Sequence, residues 1–239
     1  MTHWTELPVL SIDFESTGID PFTVRIVEAG AAIIQPDGIV DHTLSCVVDP
    51  GIEIPDGAAA VHGITTERAR TEGLDPRDAL MNVASLIERH HTVYAGEGAV
   101  TFFNARYDLP LLLVEAERHS VVVPPVAGIV DAFVLDKIHD RYRKGSRKLI
   151  DTARHYGITL EESEAHGALA DCIANGRLVF KMAERFPVLR EKSLASLWLD
   201  QVRGHEEGRV SFEAYLQKKD PSARIPSGWP LPVAREVAA

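Results

Sequence analysis

The chain has 239 residues, 45% of them hydrophobic and 25% charged, which suits one globular domain with a sizeable core and room for a small appendage. Its formal net charge of −10 argues against a broad electrostatic grip on duplex nucleic acid, but leaves open a narrow site where metal ions supply the positive charge. Residues 1–6 lack a basic segment followed by an apolar run, so no signal peptide is expected. The longest greasy stretches, such as residues 109–114, are too short to cross a bilayer, and a cytoplasmic location without membrane contact fits.

Residues 9–14 are apolar and β-branched and stop at Ser16-Thr17-Gly18, the pattern of a buried strand running into a turn. Side chains two apart on a strand share a face, so Asp13 and Glu15 stand side by side. Two ionised carboxylates held together repel, and burial raises the cost. A hard divalent cation with oxygen ligands resolves that conflict, and a solvated strand end is the plainer alternative. Asp20-Pro21 makes a turn, residues 25–34 read as a second strand, residues 35–38 as a hairpin turn and residues 42–48 as a third strand. Short connections imply an antiparallel meander, because parallel neighbours need a longer crossover. Residues 50–63 read as a loop, Thr65 opens a helix, and residues 75–91 carry Leu80, Val83, Ala84 and Ile87 at helical spacing behind an Asp75-Pro76 cap.

Residues 100–103 fit a short buried parallel strand and residues 109–117 a helix. Pro110 is acceptable only near a first turn, so Asp108 falls close to a helix N-terminus at a strand end, where α/β sheets commonly hold ligands. A fifth strand at residues 129–131 leads into a helix over 132–139, with Asp131 as its cap. Residues 141–148 hold five basic side chains in eight, either a phosphate contact or a solvated loop. Helices follow over residues 149–156 and 168–186. His166 and Asp171 are five apart, about 140° out of phase on a helix, so His166 belongs in the loop before and Asp171 in the opening turns. Leu194, Leu197, Trp198 and Val202 suit one further helix, and Phe212, Tyr215 and Leu216 a second. Residues 225–232, with three prolines around Trp229, must be extended, as a brace, a lid or a free tail. Trp198 and Trp229 either stack bases or pack this segment onto the domain. Cys46 and Cys172 have no metal-type spacing and read as buried thiols.

Four stretches occur in order between residues 7 and 186: residues 13–18 (Asp-Phe-Glu-Ser-Thr-Gly), 62–65 (His-Gly-Ile-Thr), 104–108 (Asn-Ala-Arg-Tyr-Asp) and 166–171 (His-Gly-Ala-Leu-Ala-Asp). Together they resemble the motif series of the DEDDh, or DnaQ-like, 3′–5′ exonucleases. The resemblance implies an α/β, ribonuclease H-like fold, a five-stranded mixed sheet with helices on both faces. The strand reading, three antiparallel strands followed by two parallel ones, points the same way. An exonuclease domain would occupy residues 1–187, followed by a helical and Pro-rich extension, residues 188–239, about which the resemblance says nothing. By the same resemblance Asp13, Glu15, Asp108 and Asp171 would hold two divalent ions, Mg²⁺ with Mn²⁺ able to substitute, and His166 would be the general base. Thr17 and Gly18 would present N–H groups to the terminal nucleotide, and Ile19, Val61 and His62 would pack on its base. His62 has the alternative of a local loop hydrogen bond, and Asn104 either orients the site or caps a helix. The implied activity is metal-dependent removal of nucleoside 5′-monophosphates from single-stranded DNA 3′ ends. RNA trimming is the nearest rival, and a non-catalytic nucleic-acid-binding module a further one. Proofreading would require a separate DNA polymerase as partner. Oligomeric state is not legible.

Overall fold

The computed structural model describes residues 3–159 and 167–232. Five strands, β1 (Val9–Ser16), β2 (Ile26–Ile34), β3 (Val40–Val47), β4 (Val100–Phe102) and β5 (Ile129–Asp131), form one sheet in the order β3-β2-β1-β4-β5. The short connections β1–β2 and β2–β3 make antiparallel pairs, whereas β1–β4 and β4–β5 are parallel. The expected mixed sheet is therefore observed. The helices are α1 (Asp56–His62), α2 (Thr66–Glu72), α3 (Pro76–Val93), α4 (Ala105–Arg118), α5 (Ala132–His139), α6 (Leu149–His155), α7 (Ala168–Arg185) and α8 (Leu194–Gln217).

The alternation along β1 sorts the helices to two faces. Leu10, Ile12 and Phe14 pack with Leu80, Val83 and Ile87 of α3 and with Leu111 and Leu112 of α4. Val9 faces the other way, into a core with Leu135 of α5, Ala153 of α6 and Leu178, Val179 and Met182 of α7. Ser11 is on that second face, where Asn175 of α7 donates to Ser11 Oγ (3.2 Å) and to Thr101 Oγ1 (3.1 Å). Asp13 and Glu15 continue the same face toward the beginning of α7.

Gly30 sets how closely α7 approaches. It pairs with Asp13 across β1 and β2, and a Cβ there would lie 2.5 Å from the carbonyl carbon of Ala168. Only the missing side chain lets the first turn of α7 rest on the sheet. Gly30→Ala should therefore cost about 1–3 kcal/mol by forced displacement of backbone, read as a lowered urea midpoint. An unchanged midpoint would contradict this close approach.

Several boundaries differ from expectation. Residues 50–63 contain the short helix α1, ended by Gly63 at φ 72°, rather than a continuous loop. Helix α4 starts at Ala105, not Leu109, so Asp108 is in its first turn and Pro110 lies inside the helix. The C-terminal pattern forms one helix of 24 residues instead of two. Gly204 does not break α8 but lets it approach α5, since a Cβ there would fall 2.4 Å from Ile138 Cγ1. After α8 the chain folds back as a brace. Glu213 accepts from the Ile225 N–H (2.7 Å), Arg209 donates to the Ile225 carbonyl (3.1 Å), and Trp229 is buried against Trp198 at 5.2 Å between ring centres. Both tryptophans thus pack the extension onto the domain. Among the described residues, no helix is long and apolar enough to cross a membrane.

Candidate active site

Three of the four sequence-identified carboxylates converge. Oxygens of Asp13, Glu15 and Asp171 lie within 4.8 Å of one another, each residue only partly covered. Asp13 and Glu15 come from one face of β1, and Asp171 from the first turn of α7 that Gly30 admits. Burial, then the charges of Asp108, Asp171, Glu15 and Glu28, pushes the Asp13 carboxyl well above its ordinary range. Glu15 is pushed up to about 8, first by burial and then by Asp171, Glu28 and Asp108. Negative charge is thus concentrated where its mutual repulsion is poorly screened. This donor set of partly covered carboxylate oxygens fits a hard divalent cation.

Asp108 arrives from the other side of the sheet. β1 and β4 pair only at Leu10–Val100 and Ser11–Thr101, and beyond those residues the two strands part. The Phe14 N–H then donates to Asp108 Oδ1 at 3.3 Å instead of continuing a strand ladder. Burial raises the Asp108 carboxyl, against the lowering effect of that backbone N–H. Asp108 is therefore near enough to act on Asp13 electrostatically while one oxygen is held by the strand.

The first turn of α4 is fixed by Asp131, which is fully buried. Asp131 Oδ1 accepts from the N–H groups of Asn104 (3.0 Å), Phe133 (3.0 Å) and Val134 (3.2 Å), and Oδ2 from Ala105 N–H (2.9 Å) and Trp229 Nε1 (3.0 Å). It caps α5 as expected, but it also caps α4 and receives the C-terminal brace. Gln201 of α8 accepts from the Asp131 N–H at 2.7 Å and donates to the Ile129 carbonyl at 2.9 Å. Asn104 has φ 74°, in the left-handed region that Asn tolerates, and its side chain makes no cap hydrogen bond.

The other sequence candidates fall around the turn after β1. The Thr17 N–H already donates to the Arg25 carbonyl (2.9 Å), and Thr17 Oγ1 accepts from the Arg25 N–H (3.0 Å). That N–H is thus committed to the turn rather than offered to a nucleotide. The Gly18 carbonyl accepts from Tyr107 OH (2.6 Å) and Ser16 Oγ (2.9 Å). His62 Nδ1 accepts from the Ile64 N–H (3.2 Å), the local bond that was the alternative reading. Burial lowers its imidazole and the nearby Ser16 backbone acts against that, so the ring also lies against the turn. Ile19 (94% exposed) and Val61 (55%) present apolar side chains to solvent. His166 lies outside the described residues.

Two contributors were not anticipated. Glu28, paired with Glu15 across β1 and β2, accepts from the Ala168 N–H at 3.2 Å and so ties the start of α7 to the acidic face. A charged residue within the apolar run 26–34 was the available signal. Tyr107 anchors the 16–18 turn to α4, and it was hidden inside the motif that ends in Asp108. The basic run proves partly internal: Arg143 donates to Asp136 (2.9 Å) and Arg147 pairs with the same buried carboxylate.

A family model described as "Exonuclease" (RNase_T) matches residues 10–179. "DNA polymerase III subunit epsilon" of Buchnera aphidicola subsp. Acyrthosiphon pisum is 23% identical over 90% of this chain and 85% of its own. "Uncharacterized exonuclease CP81" of Escherichia phage 186 is 30% identical over 71% of this chain and 84% of its own. Among solved structures, an exonuclease I aligns with TM-score 0.66 and 20% identity, over 77% of this chain but 42% of that one. Given a match over most of the sheet and its flanking helices, with three acidic motif residues gathered at one point, this chain belongs to the DnaQ-like 3′–5′ exonuclease family.

Proposed function

We propose that the chain hydrolyses single-stranded DNA from its 3′ end with two divalent ions, Mg²⁺ physiologically, held by Asp13, Glu15, Asp108 and Asp171. The observation that carries this reading is the convergence of Asp13, Glu15 and Asp171 within 4.8 Å, in surroundings that disfavour the charge of Asp13 and Glu15 unless a cation is present. Bound ions would supply Lewis-acid stabilisation to both the attacking and the leaving oxygen of an in-line displacement. The protein's part is to hold the ligands. Asp108 is oriented by the Phe14 N–H, Asp171 is presented by the turn that rests on Gly30, and Glu15 and Asp13 are fixed by the strand. His166 is assigned the water's proton by motif, its ordinary pKa of about 6.5 suiting that role near neutral pH.

The terminal nucleotide would lie over the 16–18 turn. Ile19 and Val61 offer apolar surface to its base, and Gly18 allows close backbone approach. A sugar preference cannot come from these apolar contacts, because it needs a polar contact to the 2′ position. The epsilon relative carries a DNA polymerase name, which favours DNA as substrate and a polymerase as partner.

Digestion of matched 5′-labelled DNA and RNA oligomers tests the reading. We expect a one-nucleotide ladder from the 3′ end with Mg²⁺ or Mn²⁺, faster on DNA and absent in EDTA. Asp171→Asn should lower the rate on the order of a thousandfold. A faster RNA ladder would name RNA as the substrate, and no metal-dependent ladder on either polymer would overturn the proposal.

A further inference from the structure

We propose that the groove between α5 and α8 binds the single-stranded nucleic acid on the 5′ side of its reacting end; this rests on the exonuclease reading above. The groove has a volume of about 400 Å³, and its lining includes Lys137, Arg141, Arg147, Glu207, Phe212 and Tyr215. The aromatic pair comes from α8, beyond the region matched by the exonuclease family. It is a feature of this chain's own extension.

Phe212 and Tyr215 stack on each other with ring centres 6.3 Å apart and planes 12° from parallel, yet 54% and 52% of their surface stays exposed. Flat rings left open in this way are platforms for bases, and such stacking is tolerant of sequence. Gly208 also lines the groove. A Cβ there would meet nothing within 4 Å, so packing does not require the glycine, although glycine within a helix costs roughly 1 kcal/mol relative to alanine. The bare backbone leaves room for a ligand to approach closely.

The opposite wall is cationic. Arg147 is held by Asp136 and by the carbonyls of Asp140 (2.9 Å) and Arg141 (3.0 Å), which fixes its guanidinium at the rim. Lys137 Nζ sits 4.2 Å over the Phe133 ring, and among the described residues Glu207 is the one acidic member of the lining. The excess of positive charge is felt nearby. Burial and then Arg106 and Lys137 push His205 down to about 4, against the charge of Glu206, and burial and then Arg147 lower Lys137, against those of Asp131 and Asp136. In a chain of net charge −10 this is a local reversal of sign, complementary to phosphates.

Placement agrees with the role. Helix α5 leaves the sheet at Asp131, the end of β5, and β5 runs parallel to β4 and β1. Helix α8 packs Leu194 against Gly128 before β5 and places Gln201 on Ile129 and Asp131, so its continuation, with Gly208, Phe212 and Tyr215, carries the groove past the sheet end at which Asp13 and Glu15 stand. Lys137, six residues further along α5, is about 9 Å from Asp131 at 1.5 Å per residue.

The test is fluorescence anisotropy of the full chain in EDTA, where hydrolysis is stopped, with labelled dT15, rU15, dT3 and a polyglutamate peptide. Phe212→Ala/Tyr215→Ala and Lys137→Gln/Arg141→Gln should each weaken dT15 about tenfold or more and leave dT3 unchanged, the charge pair also flattening the salt dependence. Unaltered dT15 and rU15 affinity in the charge pair, whose surface positions tolerate the change, would overturn the groove whatever the aromatic pair does to folding. Equal weakening of polyglutamate would overturn nucleic acid as its occupant. Loss of dT15 binding in these variants, with no metal-dependent hydrolysis by the parent, would instead overturn the exonuclease reading and keep the groove as a binding site.

Discussion

Asp13→Asn should lose on the order of a thousandfold or more in hydrolysis and yet, in EDTA, melt at a higher temperature than the parent. The two effects share one cause. Asp13, Glu15 and Asp171 crowd their oxygens within 4.8 Å, and burial together with their mutual charge disfavours ionisation of Asp13 and Glu15 in the folded state. The unfolded chain has no such conflict, so the repulsion is a direct loss of stability. An amide of nearly the same shape removes one charge and can donate to a neighbouring carboxylate. Relief of about 1–3 kcal/mol is expected, and each kcal/mol shifts the melting temperature by roughly 2–4 °C in a chain of this size. Excess Mg²⁺ should reverse the order. Binding at a hundredfold its dissociation constant stabilises the parent by about 2.7 kcal/mol, whereas the variant has lost a ligand oxygen. Thermal melts with EDTA and with Mg²⁺ check this. If Asp13→Asn is less stable than the parent in EDTA, Asp13 is a satisfied structural carboxylate and the cation site is wrong.

Much of this arrangement was legible because each carboxylate is tied to a local signal. Asp13 and Glu15 are spaced by the period of a strand, Asp108 follows the short apolar run of β4, and Asp171 falls where α7 must begin. What escaped the sequence depended on tertiary context. The α1 segment was read as loop because Gly57 and a run of alanines give little periodicity over seven residues. The two apolar groups at residues 194–202 and 212–216 read as two helices, although α8 continues between them and Gly204 serves close packing on Ile138, a residue in another helix. Arg143 and Arg147 looked like solvent-facing cations, yet their partner Asp136 is buried on α5 and nothing in the run itself announces it. The Thr17 N–H looked available, but the returning strand supplies the Arg25 carbonyl to it. Trp229 and Asp131 are 98 residues apart, and only the folded chain brings them within a hydrogen bond.

That last contact carries the second large effect. Asp131→Ala should destabilise the protein by about 4 kcal/mol, because it strips an acceptor from five N–H groups at once, three of them in buried bonds and two in partly buried ones. Burial pushes the Asp131 carboxyl up, and the hydrogen bonds from Trp229, Asn104, Val134 and Ala105 act against that rise. Asp131→Asn should fall between Ala and the parent. It keeps Oδ1 for the Asn104, Phe133 and Val134 N–H groups, but turns an amide donor toward Ala105 and Trp229. Trp229→Phe keeps most of the packing against Trp198 and removes one donor, for an expected 1–2 kcal/mol or so. A double-mutant cycle of Asp131→Asn with Trp229→Phe, read by urea unfolding, should show coupling above about 0.5 kcal/mol. Activity supplies the decisive arm. Asp131 holds the first turn of α4, and Asp108 projects from that turn, so Trp229→Phe should lower kcat several-fold under conditions where the protein stays folded. Stability lost with kcat unchanged would make the C-terminal brace a purely structural clasp. Loss of both would tie the extension to the position of the Asp108 carboxylate, which is proposed to hold metal.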